Sequence, residues 1–300
     1  MFLGLSPTLM QIWCVLTSAI NPMKLTPAQI VGSLSLLMVV TTAHAGKSCE
    51  EGVANAETTV KAFEAAELTR AQLDKLSDDQ VVLIARAGQD LRKYHLTYSH
   101  VGFAVKQPDG SWGLVHKLNQ CGTASSAIYD EGLVNFFSDT PFRYQAGIWR
   151  LDPALQMKLQ RTLRGKKSLD YHEQAYNMLA YPFSTKYQNS NGWVLEVLAG
   201  AIAPNDEANT RQSAQKWLKS EGYTPSTLDL GTFTRLGARV TRANVAFDDH
   251  PGELRWSGHI QTVTVDSIVT WLRTRSNACK DMGCPEIRVE LPSQGATSAP

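Results

Sequence analysis

Apolar positions in this chain change period along its length, and each change predicts an element. From Ala54 to Leu76 the apolar side chains, among them Val60, Phe63, Ala66 and Leu68, recur at helical intervals among Glu, Lys and Ala. That pattern predicts one amphipathic helix or two short ones. Val81-Val-Leu-Ile-Ala-Arg86 follows, a short branched run suited to a buried strand. Ser99–Val105 and Trp112–Leu118 then read as paired strands, because the link Gln107-Pro-Asp-Gly-Ser111 carries the Asp-Gly turn signal of a hairpin. A third strand over Tyr144–Leu151 ends where Asp152-Pro153 supplies the N-cap and first residue of a helix reaching about Leu163.

Ser168–Ala180 reads as a further helix closed by Tyr181-Pro182. The polar loop Thr185–Gly192 leads into an apolar helix, Trp193–Ala203, which Pro204 terminates. Gln212–Ser220 predicts a short helix, Arg239–Phe247 a β segment, Asp248–Gly252 a turn and Leu254–Val265 the partner run. From Asn277 onward, apart from Val289 and Leu291, the composition is that of a Pro-, Ser- and Gly-rich tail. No internal repeat is present.

The N-terminus is a different kind of polymer, since its first 45 residues hold a single charged side chain, Lys24. From Met23 the chain reads Met-Lys, an apolar run Ile30–Val40, then Thr-Thr-Ala-His-Ala45 before Gly46. These are the basic, apolar and cleavage parts of a secretory signal. Met23 is therefore the expected true start, with cleavage after Ala45. A retained membrane anchor is the rival reading, but Pro22, Pro27 and scattered polar residues break either apolar run below the roughly 20 residues a span needs. The expectation is an exported, periplasmic protein with no stable membrane anchor after cleavage. Its parts are a signal over 1–45, a core over 46–204, an extension over 205–275 and a tail over 276–300.

Composition narrows the class. At 300 residues, 43% hydrophobic and 19% charged, the chain can bury a full core, which excludes disordered and fibrous classes. Twenty-nine Lys and Arg against 28 Asp and Glu leave no net field to draw nucleic acid or an anionic membrane, and no clustered basic stripe stands out. Cys49, Cys121, Cys279 and Cys284 survive signal removal, an even set that in an exported protein suggests disulfides. The short Cys279–Cys284 spacing makes a local loop the simplest pairing, which leaves Cys49 with Cys121.

Catalytic candidates are few. His100 opens the first strand of the predicted hairpin and His116 lies near the end of the second, so antiparallel pairing sets them as cross-strand neighbours within about a residue of register. One imidazole can then orient the other as a general base. Ser190, at the mouth of the apolar helix, is the candidate nucleophile. Free N–H groups and the helix dipole there favour developing negative charge, with Asn189 and Asn191 as substrate or oxyanion contacts. Asp248, Asp249 and His250, with His259, form a weaker candidate metal cluster, because Pro251-Gly252 beside them fits a solvated turn. No cofactor is called for.

The order Ser99-His-Val-Gly-Phe103, then His116, then Asn189-Ser-Asn-Gly-Trp193 resembles the circularly permuted papain-like fold of NlpC-type and lecithin retinol acyltransferase-like proteins. The mature chain also looks like an uncharacterised bacterial family of exported proteins, a domain of unknown function. The resemblance implies an α+β fold with a permuted papain-like core, its antiparallel sheet packed against the nucleophile helix, followed by a C-terminal α/β extension. It implies a hydrolase or acyltransferase acting on an amide or ester, with a small molecule, peptidoglycan peptide or lipid as substrate. The family nucleophile is Cys, and Ser190 stands in its place. A Ser hydroxyl is activated only as its proton leaves during attack. The alternative is therefore a catalytically inactive binding module that keeps the cleft, and a third reading is a structural envelope protein held by its disulfides.

Overall fold

The computed structural model describes residues 55–241 and 243–291. In chain order its elements are α1 (Ala56–Asp74), β1 (Val81–Arg86), β2 (His100–Lys106), β3 (Trp112–Asn119), β4 (Ser126–Gly132), α2 (Leu133–Phe137), β5 (Gln145–Arg150), α3 (Pro153–Arg164) and α4 (Ser190–Ile202). Then come α5 (Arg211–Ser220), β6 (Ser226–Asp229), α6 (Thr232–Thr241), α7 (Gly252–Ser257), β7 (His259–Thr262), α8 (Val265–Arg273) and β8 (Ile287–Glu290). The fold is α+β. An antiparallel sheet in the order β4-β3-β2-β1-β5-β8 is covered by helices on both faces, and β6 and β7 form a separate antiparallel pair.

β1 lies inside the sheet and every one of its residues is buried, which is why its sequence runs apolar without alternation. Its odd positions, Val81, Leu83 and Ala85, share a core with α3, α4, α5 and α8. Its even positions, Val82 and Ile84, meet α1 and α2 on the other face. α4 is buried nearly all round, with Trp193 fully enclosed, its ring 5.8 Å from Phe103 and its indole N–H donating to the Ser168 carbonyl at 3.0 Å. A fully buried side chain of this kind stabilises by about 1.5–3 kcal/mol. Residues after 205 feed the same core through Ala214, Trp217, Leu218, Ile268 and Leu272.

Local chemistry sets the ends of the elements. Asn55 and Thr58 close a reciprocal capping box that starts α1 as one continuous helix. Asp152 caps α3, with Pro153 at its first position. In the β2–β3 hairpin, Gly110 adopts φ +86°, a left-handed backbone that favours glycine, and Asp109 accepts from the Ser111 N–H.

Several expectations are corrected. The predicted helix over Ser168–Ala180 is only a 3-10 turn at Lys167–Tyr171, because the following backbone bonds outward: Tyr176 N–H to Ala124, Met178 N–H to Asn244, and the Ala175 carbonyl to Gln188 N–H. The β segment Arg239–Phe247 starts inside α6, and its Val245 and Phe247 instead bury with Leu228, Leu230 and Ile260 in a small separate cluster. Leu254–Val265 divides into α7 and β7 at Gly258, whose φ is +84°. β7 pairs with β6, which the sequence reading passed over. The tail expected beyond Asn277 carries the Cys279–Cys284 disulfide and β8, which joins the sheet against β5. Cys121 is likewise disulfide-bonded. Cys49, its expected partner, lies outside the described residues, as do the signal segment and Gly46. None of the described helices is long and apolar enough to cross a membrane.

Candidate functional site

β2 and β3 pair with Phe103 opposite Val115. Continued by one step, that register sets His116 opposite Gly102, two residues from His100. The histidines are thus diagonal neighbours on one sheet face, not the near-opposite pair expected. Gly102 makes their contact possible. A Cβ there would lie 2.8 Å from the His116 Cβ and 3.0 Å from the Val115 carbonyl oxygen, so no larger residue fits beneath the imidazole.

His100 Nε2 is 2.9 Å from His116 Nδ1, and His116 Nε2 is 2.8 Å from Glu131 Oε1 on β4. Phe136 of α2 packs against both rings, at 5.8 and 5.7 Å between centroids. The hydrogen bond from His116 holds the Glu131 carboxyl below its usual range, so the carboxylate is ionised at neutral pH. Burial holds both histidines below the ordinary imidazole range. For His100 the nearby Arg86 and His116 add to the depression, and for His116 burial outweighs the pull of Glu131.

These directions fix where the protons sit. An ionised Glu131 can only accept, so His116 donates from Nε2 and accepts at Nδ1. His100 must then donate from Nε2, which leaves its Nδ1 as a free basic lone pair. Arg86, buried at the end of β1, donates to the Phe136 carbonyl and pairs with Asp139 beside this chain of groups.

Ser190 is the first residue of α4. Asn189 caps the helix, its Oδ1 accepting from Gly192 N–H at 2.6 Å. The first-turn N–H groups have no intrahelical acceptor and point out of the helix start. Ser190 Oγ lies 3.4 Å from the buried Tyr176 hydroxyl, and among the described residues that is its hydrogen-bond partner; none joins it to His100. His100, Ser190 and Tyr176 line one cavity of about 160 Å³, together with Arg86, Asn189, Asn191 and Asn244. Asn244 Oδ1 is buried without a hydrogen-bond partner among the described residues.

The expected oxyanion contacts act differently. The Asn189 amide donates to Thr262 Oγ1 and the Val263 carbonyl, while Asn191 accepts from Val101 N–H and donates to Val263. Their side chains fix the start of α4 to β2 and β7. The metal candidates are also occupied: Asp248 pairs with Lys186 at 2.6 Å, Asp249 accepts from Tyr181 N–H and contacts His250 Nδ1, and His250 Nε2 meets the Gln261 carbonyl. His259 bonds to Asp229 instead. The described residues contain no group of three or more His, Cys, Asp or Glu able to hold a metal ion.

Glu131, Tyr176 and Asn244 were missed from the sequence. Glu131 sits on a half-exposed edge strand with weak alternation, and Tyr176 and Asn244 lie in irregular segments, so none has a periodic signal. Behind the site, Lys117 is buried on the opposite face. Its ammonium meets the Glu173 carbonyl, Gln188 Oε1 at 2.8 Å and His172 Nδ1 at 3.1 Å. Gln188 continues this network to Glu196 of α4, which also accepts from Arg211 and Gln215. Burial lowers Lys117 to about 7 and raises Glu196 to about 7. This network anchors the irregular loop that carries Tyr176 and ends at Ser190.

No curated protein and no solved structure matches the chain. Residues 72–272, more than half of its length, match the family model described as "Uncharacterized protein conserved in bacteria (DUF2145)", and the chain belongs to that family.

Proposed function

We propose that the protein is a hydrolase or acyltransferase acting on an amide or ester in the cell envelope, with Ser190 as nucleophile, His100 as base, and His116 and Glu131 orienting it. The observation that carries this reading is the direction of the hydrogen bonds from Glu131 through His116, which leaves a basic lone pair on His100 Nδ1 in the cavity that Ser190 also lines. The resemblance in residue order to the permuted papain-like proteins supports it, with Ser190 standing where they have Cys.

In the proposed reaction Ser190 Oγ attacks the carbonyl carbon while its proton passes to His100 Nδ1. The oxyanion is met by the Tyr176 hydroxyl and by first-turn N–H groups of α4 other than that of Gly192, which Asn189 caps. The carbonyl bond to the leaving amine or alkoxide breaks, and that group leaves with the proton from His100. Water, or an acceptor alcohol or amine, then attacks the acyl-Ser190 ester and gives its proton to His100; the carbonyl–Oγ bond breaks and His100 returns the proton to Ser190. No cofactor takes part. Peptidoglycan peptides and lipid-linked acyl groups are the substrate classes in view.

A second reading, a binding module that keeps the cleft without chemistry, draws on one observation: Ser190 Oγ bonds to Tyr176 and not to His100. Fluorophosphonate labelling separates the two. The enzyme reading expects covalent labelling of Ser190 that disappears in Ser190→Ala and falls steeply in His100→Ala. An unlabelled Ser190 in folded protein would overturn it in favour of the module. We place the protein in the periplasm, its core over 46–204 and its extension over 205–275, after cleavage of a signal ending at Ala45. Mass spectrometry of protein recovered from cells should then give Gly46 as the first residue, and an intact Met1 or Met23 would refute export by this route.

A further inference from the structure

The near-balance of charge over the whole chain hides a local imbalance. Between Leu230 and Phe247 there is no Asp or Glu, while Arg235, Arg239 and Arg242 recur at helical spacing. Phe233, Leu236 and Val240 follow an i, i+3, i+7 apolar pattern in the same stretch. α6 forms over this sequence and rests on the protein through Ala238, which packs against the small cluster of Leu228, Leu230, Val245, Phe247 and Ile260. Leu236 stands two residues away, on the far side of the helix, and is 61% exposed. Arg235 ties α6 to α7 by donating to the Arg255 carbonyl. Next to it Trp256 is 77% exposed, with the Arg255 guanidinium 5.2 Å from its ring centroid.

Exposed Leu and Trp flanked by arginines, on adjoining short helices, match the chemistry of a bilayer interface. Apolar side chains enter the acyl boundary, indole sits at headgroup level, and guanidinium groups meet lipid phosphates. We propose that the α6–α7 face docks reversibly on an anionic lipid surface. Charge separates this face from the other exposed apolar helix. α1 presents Val60, Phe63 and Leu68, but its carboxylates Glu57, Glu64, Glu67 and Asp74 outnumber Lys61 and Arg70, which pair with three of them, and leave that helix net acidic, whereas α6 and α7 set Arg235, Arg239 and Arg255 against Glu253 alone. The chain runs from α6 into Asn244, whose carbonyl accepts from Met178 N–H, and both residues line the cavity. Docking requires no reactivity at Ser190 and stands apart from the proposed catalysis.

Co-sedimentation of the full chain tests it, using vesicles of equimolar phosphatidylglycerol and phosphatidylcholine against vesicles of phosphatidylcholine alone. A leader that binds lipid through apolar contact alone pellets with both, so the readout is the excess bound to the anionic vesicles. The wild type should show that excess and lose it in high salt. The double variant Leu236→Glu, Trp256→Ala should lose about nine-tenths of it, as expected when an apolar face and its charge field are both disrupted. Phe63→Glu on α1 should keep it. Both altered side chains in the double variant are exposed, and an unchanged unfolding midpoint confirms its fold. The absence of an anionic excess, or its persistence in the double variant, would overturn the proposal. So would wild-type self-association that the double variant abolishes without any lipid preference, because a second copy would then cover the face.

Discussion

His100 Nε2 and His116 Nδ1 meet at 2.9 Å across two strands, diagonally and not face to face, because Gly102 leaves the space beneath the His116 ring empty. The contact joins the cavity to Glu131 on the sheet edge, so a carboxylate outside the cavity determines which nitrogen inside it is basic.

Substituting Glu131→Gln tests that relay. A Gln amide can donate to His116 Nε2, which moves the His116 proton to Nδ1 and turns the His100 proton toward the cavity. The base is then blocked although every side chain stays in place. Fluorophosphonate labelling of Ser190 should slow by on the order of 10²–10⁴-fold, the scale of a wrong-tautomer defect, with a near-unchanged unfolding midpoint. An unaltered rate would show that the relay does not govern His100.

The pH profile of labelling follows from the depressed His100. The base works as neutral imidazole, and burial with the Arg86 charge extends the neutral form to lower pH. The rate should therefore rise with pH along a limb lying below pH 6.5 and be flat above it. A midpoint at or above the ordinary value would contradict the assignment of His100.

Gly102→Ala would drive a Cβ to 2.8 Å from the His116 Cβ, against backbone on the other side. Overpacking of this kind costs about 1–3 kcal/mol. Urea unfolding should register that loss, and Ser190 labelling should fall further than stability alone accounts for, because His116 is displaced from His100. Full labelling retained by the destabilised variant would count against the relay geometry.

Glu196 makes stability depend on pH with a definite sign. Its folded-state value is raised from 4.5 to about 7 by burial, so its stabilising contribution is complete below 4.5 and is lost as pH rises through about 7. The loss is about 1.4 kcal/mol per pH unit inside that window. Urea unfolding of the wild type should lose about 2 kcal/mol between about pH 5 and 7 that Glu196→Gln does not lose. Parallel slopes in the two proteins would place the titration elsewhere.

Much of the central sheet was legible because its signals are local. The branched run of β1, the Asp109-Gly110 turn, the Asp152-Pro153 helix start and the Pro204 stop each act within a few residues. His100, His116 and Ser190 were legible through their order, and the fold gathers His100 and Ser190 at one cavity with His116 bonded behind. What was hidden depends on distant partners. The loop after Tyr171 keeps helix-compatible residues out of a helix because its backbone bonds to Ala124, Gln188 and Asn244. β4 carries polar residues on both sides of a half-exposed edge, and Glu131 within it becomes visible only beside His116. α6 takes in Val240 and Thr241 although their branched side chains favour a strand.

The place of β8 has a consequence for how the molecule is made. β5 holds β1 on one side and waits for β8 on the other, and β8 is supplied by Ile287–Glu290, after every other strand of the sheet in chain order. During synthesis the β5 edge therefore stays open after the rest of the sheet has a sequence to build from. An unpaired edge recruits other strands. The interval before those residues emerge is thus when this chain most needs a chaperone, and a truncation that removes them would leave every copy with a permanently adhesive edge.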